Sequence, residues 1–77
     1  MDQKDEVLKK FGRHLTALRV ERKLTLQELA TAAGVAAPQL RRIEAGEVDI
    51  QFTTVVMLSR GLGIGPGELL RSLDPDQ

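Results

Sequence analysis

Between Leu24 and Gly46 the chain carries start and stop signals for two short helices in immediate succession. Thr25 and Glu28 stand at the Thr-x-x-Glu spacing of a capping box. In that device the threonine oxygen accepts from the amide three residues on, and the glutamate reaches back to the amide of the threonine. Leu24 before the cap and Leu29 after it add a hydrophobic staple. Gly34 supplies a left-handed residue that stops the helix, which therefore covers residues 26–33. Two or three residues later Pro38 fits the first turn of the next helix, where its missing N–H costs nothing. Val35 and Leu40 repeat the staple, Leu40 and Ile43 mark the buried side, and Gly46 ends the element, so this helix covers residues 37–45. Its cap is an alanine, Ala36 or Ala37, which gives up roughly 1 kcal/mol against serine or threonine.

The flanking segments are helical as well. Val7, Leu8, Phe11, Leu15 and Leu18 recur at i, i+3, i+4, i+7 spacing with charges between them, giving a helix over residues 4–22. A fourth helix covers residues 52–62, with Val55, Leu58 and Leu62 as its buried stripe and Gly63 as its stop. A fifth covers residues 66–73 and opens at Pro66 behind a Gly65 cap. Glu68 lies in its first turn, Ile64 and Leu69 form a third staple, and it ends before Asp74-Pro75. Nothing reads as a strand. The fold class is all-α, five helices in a single domain spanning residues 1–77.

At 77 residues without a cysteine, the chain has no disulfide with which to support a small core. One histidine and no cysteine speak against a structural zinc site, and no cofactor or small-molecule ligand is expected. Missing cysteines suit a reducing cytoplasm. The opening MDQKDEVLKK holds no apolar stretch of signal-peptide type. The run Val55-Val56-Met57-Leu58 is far too short to cross a membrane. The 11 basic and 11 acidic residues cancel but are unevenly placed. Nine basic residues face six acids up to Gly46, and Arg60 and Arg71 face five acids beyond it. A basic front half permits a polyanionic partner on that side.

Two short helices joined by a tight glycine-containing turn form a helix-turn-helix. The stretch LTLQELATAAGVAAPQLRRIEAG, with its LxxxELAxxxGV core and its IExG ending at Ile43 to Gly46, is followed by LSRGLGIGPGELL. Together they resemble the Cro and lambda-repressor family of helix-turn-helix regulators over about Phe11 to Leu73. The resemblance implies a five-helix lambda-repressor-like domain that places its third helix in the major groove of double-stranded DNA. It implies that the start of the second helix abuts the backbone, offering free amides to a phosphate. It also implies an ion pair between an arginine late in the first helix and the glutamate of IExG, here Arg19 and Glu44.

Several positions depart from the family pattern. The first residue of the second helix, often a phosphate-touching glutamine, is Leu26. The base-reading positions at the start of the third helix are Ala37 and Pro38, which can meet a thymine methyl but cannot hydrogen-bond a base edge. The loop after that helix, often basic, reads Glu47-Val48-Asp49. Polar reach falls to Gln39, Arg41 and Arg42. At about 100° per residue, Arg42 and Pro38 point away from Leu40 and Ile43, with Arg41 and Gln39 on the two flanks. The expected base contacts are therefore Ala37, Pro38 and Arg42, with the Arg42 fork on guanine O6 and N7. The expected backbone contacts are Leu26, Gln27, Gln39, Arg41, Lys10 and Arg13, with Arg22 and Lys23 as further phosphate candidates. His14 reads as a surface residue without a catalytic role. Leu26 and Val48 read as apolar residues facing solvent, DNA or a partner.

The leading expectation is a sequence-specific transcriptional repressor acting as a homodimer through the fifth helix and its flank Leu70 to Leu73, with no room for a ligand-sensing domain. The alternative is a protein-interaction module or antitoxin that keeps the fold with weak or no DNA binding. The apolar recognition start, Leu26, the acidic loop and the zero net charge favour that alternative. A catalytic role ranks below both.

Overall fold

Each of the five helices sends one fully buried leucine to the centre of the molecule: Leu15, Leu29, Leu40, Leu58 and Leu69. A buried leucine contributes about 1.5–3 kcal/mol relative to an exposed one, so this cluster is the main term holding a chain without disulfides together. Phe11, Leu18, Ala30, Ala33, Ile43, Val55 and Leu62 complete the core. The computed structural model describes residues 3–74; Pro75, expected just after the last helix, lies outside them. The elements are α1 (Gln3–Glu21), α2 (Leu26–Ala33), α3 (Ala37–Glu44), α4 (Phe52–Leu62) and α5 (Pro66–Leu69), followed by a 3₁₀ turn over Arg71–Leu73. No strand occurs among the described residues.

The first four helices end by one device. An amide two or three residues past the last helical position returns to the carbonyl five residues before it, and the residue preceding that amide sits in the left-handed region. At α2, Val35 donates to Ala30 at 3.0 Å and Gly34 has φ 75°. At α3, Glu47 donates to Arg42 with Gly46 at φ 72°, and at α4, Ile64 donates to Ser59 with Gly63 at φ 75°. At α1 the same closure, Leu24 to Arg19 at 3.1 Å, runs through Lys23 at φ 58°. A side chain in that region costs roughly 1–2 kcal/mol, and no feature of the sequence marks Lys23 for it.

Two helix crossings depend on glycine. A Cβ on Gly12 of α1 would meet the Glu44 carbonyl oxygen and lie 2.8 Å from that of Ile43, so α1 crosses the end of α3 only because position 12 has no side chain. A Cβ on Gly61 of α4 would lie 3.0 Å from the Ala33 nitrogen, so α2 and α4 approach closely there.

Three expectations need correction. The fifth helix does not run unbroken to residue 73. Leu70 leaves the helical region (φ −91°, ψ 1°), and the bonds from Leu73 to Leu70 and Asp74 to Arg71 are of the tighter 3₁₀ type. That change swings the 3₁₀ turn against α1, with Leu70 and Leu73 half-buried on the core. Val7, expected on the buried stripe of α1, is 42% exposed. Leu26 and Val48, expected to face outward, are half-buried against the core. The most exposed large apolar residue among those described is instead Phe52, at 72%, at the start of α4.

Candidate nucleic-acid interface

The interface is built around α3. Leu40 and Ile43 are buried, which turns Pro38, Gln39, Arg41 and Arg42 outward, all exposed, and leaves Ala37 half-buried. Ala36 caps the helix with no side-chain hydrogen bond. The helix therefore begins on three residues, Ala36, Ala37 and Pro38, whose side chains hold neither donor nor acceptor. Arg41 and Arg42 take part in no ion pair or side-chain hydrogen bond among the described residues. Two unpaired guanidinium groups thus stand on the outward face.

The other end of α3 is fixed to α1. Arg19 Nε donates to Glu44 Oε2 at 2.8 Å and Nη2 donates to Oε1 at 3.1 Å, a two-pronged bridge. Arg19 Nη1 also donates to the Leu24 carbonyl at 2.8 Å. The side chains are only 15% and 8% exposed. The hydrogen bonds that Arg19 donates to Glu44 hold the arginine pKa above its ordinary value, with burial opposing. A raised pKa on a cation gives stability that is complete below its unfolded value and fades only as pH climbs past the folded one. For arginine that lies above any ordinary pH, so its side of the bridge stays charged.

At α2 the capping box is closed: Glu28 N donates to Thr25 Oγ1 at 3.0 Å and Thr25 N donates to Glu28 Oε1 at 2.8 Å. The amides of Leu26 and Gln27 have no partner among the described residues, so two donors remain at this helix start. The Gln27 side chain points along α2 instead, donating from Nε2 to Thr31 Oγ1 at 3.1 Å.

Lys10 and Arg13 share a shallow surface groove on α1 with Glu6 and Lys9. A Cβ on Gly46 would lie 2.8 Å from the Lys9 Cα, so this basic ridge adjoins the C-terminal end of α3, away from Ala37 and Pro38. In the acidic loop, Asp49 pairs with Lys4 at 3.3 Å. Both side chains are well exposed, so the bridge is worth little in stability, but it neutralises one of the two acids there.

Arg22 is not open to a phosphate. Its Nε donates to the Leu62 carbonyl at 3.0 Å and its Nη1 to the Leu18 carbonyl at 3.3 Å, tying α1 to the end of α4. His14 is more than a surface residue: its Nε2 donates to the Glu68 carbonyl at 3.1 Å, joining α1 to α5. Sequence reasoning missed both tethers, along with Gly12 and the exposed Phe52. Each depends on contacts between residues far apart in the chain.

An unpaired basic helix, set at a fixed angle by a short turn and preceded by a helix start with free amides, defines a helix-turn-helix domain. The helix-turn-helix family model matches residues 15–69, and the chain belongs to that family, of the Cro/C1 type. It is 52% identical over 58 residues to the HTH-type transcriptional repressor RghR of Bacillus subtilis, covering 74% of this chain and 43% of that protein. An uncharacterized HTH-type transcriptional regulator of Mycobacterium tuberculosis is 38% identical over 68 residues, covering 84% of this chain and 27% of that one. The chain thus spans less than half the length of these relatives. Among solved structures it is similar to the restriction-modification controller protein C.AhdI from Aeromonas hydrophila. The TM-score is 0.79 at 31% identity over 80% of this chain and 94% of that one. The clp gene regulator ClgR from C. glutamicum shares the fold, at TM-score 0.79 and 24% identity over 86% of each chain. No helix among the described residues is long and apolar enough to cross a membrane.

Proposed function

We propose that this domain binds double-stranded DNA in a sequence-specific manner and regulates transcription, as a repressor, with α3 in the major groove. The observation that carries the reading is the pair of unpaired arginines, Arg41 and Arg42, on the outward face of a helix whose C-terminal end is clamped by Arg19 and Glu44. Arg42 reads guanine, and Ala37 and Pro38 give apolar contact. Arg41 and Gln39 meet the backbone together with the free amides of Leu26 and Gln27. Lys10 and Arg13 add charge from α1. The domain acts by binding and not by catalysis, and the repressor sense follows the name that RghR bears.

Two copies bind one twofold site, with half-sites about 34–36 Å apart. The surface proposed between copies is the 3₁₀ turn after α5 with the adjoining part of α1. There the 42%-exposed Val7 lines a shallow groove with Leu73. A second reading, a protein-interaction module, is further favoured by the 72%-exposed Phe52 beside the acidic loop.

Salt titration separates the two readings. On a duplex selected from a random pool, log K falls linearly with log salt, with a slope of about −0.9 for each phosphate contacted. An absence of binding to every duplex at low salt overturns the DNA reading and leaves the protein-partner one.

A further inference from the structure

We infer that the front of α3 recognises the C5-methyl group of a pyrimidine next to a guanine, so that thymine and 5-methylcytosine are equivalent to it. The inference rests on reading α3 as the helix that enters the major groove. It adds a binding chemistry, and with it a sensitivity to DNA methylation.

Nothing on this front can hydrogen-bond a base edge through a side chain. Ala36 and Pro38 are exposed, Ala37 is half-buried, and the cap is bare. Pro38 lacks even a backbone N–H. The nearby start of α2 adds Leu26, half-buried, and a Gln27 side chain whose Nε2 already donates to Thr31. In the major groove a cytosine offers an amine donor, a thymine offers a carbonyl acceptor and a methyl group. An apolar front satisfies neither polar group, and what it can distinguish is the methyl. A 5-methylcytosine carries that methyl at the same ring position as thymine.

One turn further along the same face stands Arg42, exposed and unpaired. Four residues of helix advance about 6 Å, less than two base steps of about 3.4 Å each. The arginine fork reaches guanine O6 and N7 while Pro38 lies against the methyl of the adjoining pyrimidine. The step so read is TG or its methylated counterpart, 5-methyl-CG. Gln39 and Arg41 flank this line and face the strands to either side.

The test changes the DNA and leaves the protein intact. A duplex selected from a random pool is remade with each thymine replaced singly by deoxyuridine, which deletes only the methyl. At the pyrimidine beside the Arg42 guanine, deoxyuridine lowers affinity about fourfold, the worth of one methyl-sized group withdrawn from apolar contact. Cytosine at that position binds at least as weakly as deoxyuridine, and 5-methylcytosine restores affinity to within about twofold of thymine, since it returns the same methyl. In Pro38→Gln, shown by its melting curve to be folded, the gap between thymine and deoxyuridine at that position closes. Tight binding of the selected duplex with no position sensitive to deoxyuridine, or a gap unchanged in Pro38→Gln, overturns the inference and leaves the proposed function standing. Absence of binding to any duplex overturns both.

Discussion

At its C-terminal end α3 is fixed by three separate backbone and side-chain contacts, whereas its N-terminal end rests on the core without a side-chain cap. Glu44 is bridged by Arg19, the carbonyls of Ile43 and Glu44 rest on Gly12, and Gly46 turns the chain beneath Lys9. At the other end Ala36 offers no cap, and Pro38 and Gln39 project without partners, as Arg41 and Arg42 do on the outward face of the last turn. The difference assigns separate duties to the clamped end and the outward face of one short helix. The clamped end sets the angle at which α3 leaves the body of the domain. The outward face keeps its side chains unengaged, so that a ligand can supply their partners.

If the division is real, damage to the clamped end appears as lost stability. Arg19→Ala leaves Glu44 buried without its cation and lowers unfolding free energy by about 3 kcal/mol or more, read from urea denaturation. Gly12→Ala follows, at about 2 kcal/mol, because the new methyl meets backbone carbonyls that cannot step aside. A melting temperature unchanged by either variant contradicts the picture of a clamp. Change at the bare end has the opposite sign. Ala36→Ser supplies the missing cap and raises stability by about 1 kcal/mol; a loss of stability would mean that the alanine has a packing role the exposed position does not suggest.

The legible parts of this molecule are those written in local chemistry. The capping box at Thr25 and Glu28 and the glycine stops at Gly34, Gly46 and Gly63 involve residues within one turn of each other, so spacing alone reveals them. The pairing of Arg19 with Glu44 came from family resemblance, since nothing in the spacing of two residues 25 apart dictates a contact. Gly12 looks like a blemish in a helix until α3 is laid across it. Lys23 occupies a left-handed position that glycine marks at the other three helix ends, so no local signal reveals it. Arg22 and His14 read as surface residues because their partners, the Leu62 and Glu68 carbonyls, are backbone groups of distant helices. The break at Leu70 follows from the 3₁₀ turn folding back against α1, which the helical spacing of that segment does not encode.

The central claim is that the outward face of α3 reads DNA, and paired substitutions of its two arginines test it most directly. Arg42 and Arg41 are adjacent and chemically identical but point in different directions, so their comparison isolates orientation from charge. Affinities of Arg42→Ala and Arg41→Ala are measured on the selected duplex and on random-sequence DNA over a range of salt. Arg42→Ala should lose roughly 1–3 kcal/mol on the selected duplex and blur the preference at one base pair. Arg41→Ala should weaken binding to all sequences alike and flatten the salt slope by about one unit. Equal losses on selected and random DNA for both variants would contradict the account, showing that the arginines contribute charge and no sequence reading.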